Sequence, residues 1–182
     1  MKKTIILLGS LGGFAVVALF SVMYGGLFNV ATGWQDPAAM RWVLVNTRES
    51  SIMRRAKDIE APSLNAVDRI EKGFRSYREM CVICHGTPEG KPTVIAKGLN
   101  PEPPDLSDSD ELMSASELFW VIKNGIRMTG MPAWGPTHSD EELWDIVAFV
   151  KQLPQMSSDD YNALNSRLPV GHGDEGDTGH GH

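Results

Sequence analysis

The chain is short of cysteine and histidine, with two and five respectively among its 182 residues. Two cysteines cannot build a disulfide framework, and a closed zinc site takes four Cys or His ligands. Both cysteines sit in "CVICHG", at 81 and 84, and the next histidine after His85 is His138, so four-ligand spacing is absent. Strand signals are lacking as well. No stretch alternates apolar and polar residues convincingly, so the βαβ setting of a thioredoxin-type CxxC is missing too. Basic residues are scarce in the second half: residues 85–182 carry six against sixteen acidic side chains. That excess of negative charge argues against nucleic acid, whose phosphates it repels. It suits either a solvated surface or a basic protein partner.

One long apolar run is present. Lys2 and Lys3 precede an uncharged stretch from Thr4 to Val30, which is 27 residues and ~40 Å as a helix, enough to span a bilayer with tilt. A secretory signal has a shorter apolar core. Cleavage after Val16-Val17-Ala18 would leave an apolar dozen residues on the mature end, so an uncleaved anchor is expected. The two lysines place the N-terminus in the cytoplasm. The remainder then lies outside the membrane, in the periplasm of a bacterium.

Beyond the anchor, residues 37–57 read as a helix with Asp36 as cap, Pro37 at its first position and Pro62 as its bound. Trp42, Val45, Ile52 and Ala56 form a rough stripe. It suits packing on its own domain, another subunit or the membrane surface, where Arg54, Arg55 and Lys57 would face anionic headgroups. Residues 64–80 read as a second helix, with Val67, Ile70, Phe74, Tyr77 and Met80 at helical steps and Gly73 open to a close neighbour. Residues 86–110 hold five prolines and three glycines and read as a long functional loop. Capping boxes Ser114/Glu117 and Ser139/Glu142 open two further helices, the second with Leu143, Ile146, Val147 and Val150 as its apolar face. "SSDDYNALNSRLP" reads as a short polar helix, and the Gly/His/acidic tail as disordered.

C-x-x-C-H is the spacing for covalent attachment of a c-type haem. Two thiols add to two vinyl groups, the short spacer lets both reach one porphyrin edge, and His85 falls beneath the iron. The second axial position decides between electron transfer and ligand chemistry. Candidate sulfurs are Met128 and Met131 in "IKNGIRMTGMPAWGPTH", a Gly- and Pro-rich segment between two helices. Methionine on iron raises the potential and suits a carrier, although methionine is commonly core filling.

With CVICH, then "PEPPDL", then "GMPAWG" before a final amphipathic helix, residues 65–153 resemble the class I monohaem cytochromes c. The resemblance implies an all-α, cytochrome c-like haem domain, here joined to an N-terminal transmembrane helix. It implies one covalent haem c, held through Cys81 and Cys84, with His85 as proximal and Met131 as distal iron ligand. It also implies that the carbonyl of Pro103 or Pro104 accepts the ring N–H of His85, and that Trp120 and Trp134 wall the haem. As core aromatics the two tryptophans would read much the same. The helix with Gly73 and Tyr77 should cross the last helix, residues 140–152.

The expected organisation is an anchor at 1–32, a periplasmic helix and linker at 33–62, the haem domain at 63–155, and a short helix with a disordered tail at 156–182. The expected function is single-electron transfer between redox protein partners, without bond chemistry. The chain would act as a tethered carrier or as a subunit of a membrane complex. Glu102, Asp105, Asp108, Asp110 and Glu111 form an acidic cluster suited to steering a basic partner. Two alternatives are a haem enzyme or gas sensor with an open sixth position, and a metal-handling protein using His172, His180 and His182.

Overall fold

The computed structural model of the chain describes residues 2–108 and 113–168. Helices α1 (Lys2–Tyr24), α2 (Ala38–Ala56), α3 (Val67–Ser76), α4 (Val82–His85), α5 (Ala115–Asn124), α6 (Asp140–Val150) and α7 (Ser158–Arg167) follow in order. A π-turn at Tyr77–Cys81 joins α3 to α4. The described residues contain no strand. The all-α expectation therefore holds. Two compact units result, one ending at Asp36 and one starting at Pro37.

In the first unit, α1 is 23 residues long, with a mean hydropathy of 2.4 in its most apolar window and no buried residue. Its length and composition suit a membrane span. Helix α2 begins without the expected help from Asp36. Pro37 itself is the N-cap residue, and no side chain caps the helix. The stripe expected along α2 is sealed only near its C-terminal end, where Ile52 and Ala56 are buried and the helix packs on α5. Trp42 is 68% exposed. The Ser116 hydroxyl donates to the Ile59 carbonyl at 2.7 Å, fixing the exit from α2 against α5.

The main packing pair of the second unit is α3 on α6. Gly73 makes it possible: a Cβ built there would lie 1.9 Å from the Asp145 carbonyl oxygen and 2.9 Å from the Phe149 Cβ. With the backbones this close, Phe74 meets Phe149 edge-on at 5.3 Å, and Tyr77 tilts against the same ring at 5.2 Å. Such aromatic contacts add to the burial of apolar area. Helix α6 is buried from Leu143 through Val150, all round rather than on the single expected face. Its one buried carboxylate, Asp145, lies 2.8 Å from Arg69 of α3. The guanidinium N–H is not aimed at the oxygen, so this is an ion pair rather than a hydrogen bond.

The second helix starts at Val67, later than expected, and Val67 is exposed rather than part of the apolar face. Residues 86–108 are irregular apart from a 3₁₀ turn at Ala96–Gly98, as their glycines and prolines suggest. Helix α7 is more than the peripheral polar helix expected. Ser157 and Asp160 cap it, and Tyr161 inserts against Phe74 at 5.2 Å. Glu89 accepts from Ser158 at its start, and Arg78 donates to the Leu168 carbonyl at 2.6 Å at its end. Arg167 also pairs with Glu71 at 2.7 Å. The tail with His172, His180 and His182 lies outside the described residues.

Gly73→Ala should destabilise the fold by about 3 kcal/mol or more, because the obstacle is backbone that cannot swing away. Urea denaturation of the full chain in detergent, followed by circular dichroism, checks this; an unchanged midpoint would contradict the close crossing.

Candidate cofactor site

The cysteine-bearing segment is shaped by its π-turn. The Val82 N–H closes on the Tyr77 carbonyl, one residue further back than in an α-helix. Single wide turns of this kind recur at functional sites. This one leaves Cys81 half-buried at the margin of the core, and Cys84 follows on α4, also half-buried and unpaired. Helix α4 stops at Gly86, whose φ of 73° lies in the region open to glycine, and the Gly86 N–H donates to the Val82 carbonyl at 2.9 Å. The buried Tyr77 hydroxyl donates to the Gly86 carbonyl at 2.9 Å, tying the end of α4 back to the core. The Thr93 hydroxyl donates to the Ile83 carbonyl at 2.6 Å and folds the following loop over α4.

His85 is oriented by the Pro-rich loop. Its Nδ1 lies 3.0 Å from the Pro104 carbonyl oxygen. A carbonyl only accepts, so Nδ1 carries the hydrogen and Nε2 of the neutral ring keeps its lone pair. The carbonyl that meets the ring is Pro104's; Pro103 beside it is half-buried. Burial pushes the imidazole below its ordinary range, while the Pro104 bond and the Asp105 charge oppose that shift. Burial, with Cys84 as a smaller influence, also pushes the Cys81 thiol up to about 12. A reactive or metal-binding cysteine shows the opposite tendency.

The "GMPA" segment is fixed against the end of α5. That helix opens with the expected Ser114/Glu117 capping box and ends at Gly125, φ 65°. A Cβ at Gly125 would lie 2.7 Å from the Ala133 nitrogen and the Pro132 carbonyl carbon, so only glycine admits this return of the chain. The Trp134 and Gly135 N–H groups donate to the Ile122 and Lys123 carbonyls, each at 3.0 Å, satisfying the open end of α5. The Met131 carbonyl accepts from Ile126 at 3.2 Å, and its N–H donates to the Thr129 hydroxyl at 3.1 Å.

The two candidate methionines part company here. Met131 is half-buried and packs against the core cluster that Cys81, Val82, Leu106 and Trp134 also border. Met128 is 86% exposed, with a φ of 60°. Trp134 meets His138 edge-on at 5.6 Å, and Trp120 on α5 is half-buried. Trp144, stacked on Phe119 at 4.1 Å, escaped the sequence reading. It lies off the single apolar face that helical periodicity gives α6, and only burial all round brings it into the core. Of the acidic cluster, Asp105 accepts from the Ser107 N–H at 2.8 Å and hydroxyl at 2.6 Å. Asp110 and Glu111 lie outside the described residues.

These residues suit a covalently attached haem better than the other uses of a cysteine pair. The thiols are unpaired, and one imidazole nitrogen is fixed while the other stays available. Among the described residues no group of three or more His, Cys, Asp or Glu side chains is arranged for a metal ion.

Residues 68–150 match a family model described as cytochrome c oxidase, cbb3-type, subunit III. No curated protein matches the chain. The matched span runs from the start of α3 to the end of α6 and contains the cysteines, His85, the Pro-rich loop and the Met131 segment. The unit built on these helices is a cytochrome c domain, a haem c electron-transfer module, carried on a chain with an N-terminal apolar helix suited to anchor it in a membrane.

Proposed function

We propose that the chain carries one haem c, which Cys81 and Cys84 would hold covalently and whose iron His85 and Met131 would hold. It passes single electrons on the periplasmic side of the membrane. The observation that carries this reading is the shared placement of Cys81 and Met131 on the margin of one core, with the His85 ring held by Pro104. Bound haem supplies an iron that gains and loses one electron without bond rearrangement.

The protein's own residues set the terms of that exchange. Hydrogen bonding at Nδ1 fixes the His85 tautomer and makes the imidazole a better donor. The thioether of Met131, a soft ligand, would favour the reduced state of a bound haem and raise its potential. Its backbone bonds to Ile126 and Thr129 hold it in place during oxidation and reduction. Leu106, Met113 and Trp134, packed on the same core, would wall the site and keep water from its inner face. Tyr77 keeps the cysteine helix from drifting as charge changes. The likeness to an oxidase subunit supports a place beside, or within, a membrane respiratory complex. Asp105 and its acidic neighbours would steer a basic partner towards it.

Replacing both Cys81 and Cys84 by alanine should reduce covalent haem staining of membrane fractions to background, and His85→Ala should abolish the native visible spectrum. Full staining of the double variant contradicts the assignment. Met131→Ala should lose the sulfur–iron charge-transfer absorption, lower the potential and open the iron to carbon monoxide, whereas Met128→Ala should change none of these. The reverse outcome would move the ligand to Met128. Carbon monoxide binding by the parent would instead favour a haem with an open sixth site. If diffusional steering delivers the partner, oxidation by a basic soluble acceptor should slow as salt rises from ~0.1 to ~1 M, because the screening length falls from ~10 to ~3 Å. A flat profile would mark a fixed partner within a complex.

A further inference from the structure

Helix α2 is not absorbed by the function described above. It lies before the matched span, and only Ile52 and Ala56, near its C-terminal end, are buried. At ~1.5 Å per residue, the part preceding Ile52 extends for about 20 Å. Met40, Val43, Thr47 and Arg54 lie on the side opposite Ile52 and Ala56, at steps close to whole helical turns. Trp42 and Leu44 flank that side. Trp42, Val43 and Leu44 are each more than half exposed. The outer side is therefore apolar at its N-terminal end, small and polar through Asn46, Thr47, Ser50 and Ser51, and basic towards Arg54.

Three observations favour one occupant for this surface. The first is chain continuity. Helix α1 has the length and apolarity of a membrane span, and the segment after it keeps Leu27, Phe28, Val30 and Trp34 exposed. Phe28 and Trp34 meet edge-on at 6.2 Å, and aromatic residues next to a span belong at the headgroup level. The second is charge. Residues 37–57 carry Arg41, Arg48, Arg54, Arg55 and Lys57 against Glu49 alone. Basic residues beside a span are drawn to anionic lipid. Residues 85–182, with sixteen acidic side chains against six basic, are repelled by the same surface. The third is the order along α2. Its apolar end is the end nearest the anchor in sequence, where the chain leaves the span, and its basic end comes later.

We propose that the outer side of α2 docks on an anionic bilayer surface. Met40, Trp42, Val43 and Leu44 enter the boundary between headgroups and acyl chains, and Arg54 and Arg55 meet lipid phosphates. The helix then acts as a second membrane contact that orients the haem domain. Attraction of α2 and repulsion of the acidic half turn that half away from the bilayer, towards a soluble or projecting partner. This rests on α1 being a membrane anchor.

The test uses the full chain in nanodiscs, with a photoreactive p-benzoylphenylalanine at position 42, 43 or 44, and at the exposed Asn124, the last residue of α5, as the control. Retention of the chain in carbonate-washed membranes is checked first, so loss of the anchor is recognised separately from failure of docking. After irradiation in bilayers containing phosphatidylglycerol, intact mass should show lipid adducts at 43 and 44 roughly five-fold above the control. The pair Arg54→Gln and Arg55→Gln should lower them by roughly half or more, as phosphatidylcholine bilayers should. Lipid adducts no more frequent than at Asn124 in phosphatidylglycerol bilayers would overturn the proposal. Crosslinks at the mass of two chains would overturn it as well, because they would assign the surface to a second copy.

Discussion

The close approach of α3 to α6 at Gly73 is the contact on which the rest depends. With a hydrogen in place of a side chain, the α3 backbone lies against the Asp145 carbonyl, and Phe74 and Tyr77 reach the rings of α6 and α7. Tyr77 is also the first residue of the π-turn, so its burial sets where that turn begins and where Cys81 emerges. Its hydroxyl then reaches forward to Gly86 and fixes the far end of the cysteine helix. The position of the Cys81–His85 segment is thus inherited from a helix crossing two turns away. A mutation at Gly73 would act on the cofactor without touching it.

Helix α7 reinforces the same segment from outside. Arg78, three residues before Cys81, stacks its guanidinium 5.3 Å above Phe74 and bonds the Leu168 carbonyl. Glu89, just past the cysteine helix, holds the first turn of α7. The strap therefore grips the chain on both sides of Cys81–His85, although it lies beyond the span shared with the oxidase-subunit family.

The parts of this arrangement that sequence made legible are those with short-range signals. Capping boxes at Ser114 and Ser139 define α5 and α6, and the glycines of the Met131 segment mark a tight return. C-x-x-C-H names its own chemistry within five residues. The less legible parts depend on distant partners. Nothing local tells that Ser76 passes into a π-turn, because the wide turn is imposed by the burial of Tyr77. The single-face reading of α6 failed because α3, α5 and α7 enclose it. The docking of α7 was hidden by its polar composition; Tyr161, Leu164 and Leu168 pack on the core, and polar bonds to Arg78, Pro88, Glu89 and Glu71 hold the helix. Asp36 offered a plausible cap that the backbone at Pro37 does not use. Composition alone does not separate Met128 from Met131; the "GMPA" resemblance points to Met131, and in the structure Met131 is half-buried while Met128 is exposed.

Charge and anchoring give the molecule a direction. An apolar N-terminal helix, a basic neighbouring segment and an acidic haem-bearing half follow one another along the chain. Such an order along the chain suits a redox domain carried by a membrane span and met by a charged partner. All of it presupposes a haem fixed to Cys81 and Cys84. The most direct measurement is mass spectrometry of the denatured, purified chain after treatment with a thiol-alkylating reagent under reducing conditions. A single haem should remain on the peptide containing Cys81 to His85, with neither cysteine alkylated. Alkylation of both cysteines, with no haem retained on that peptide, would contradict it.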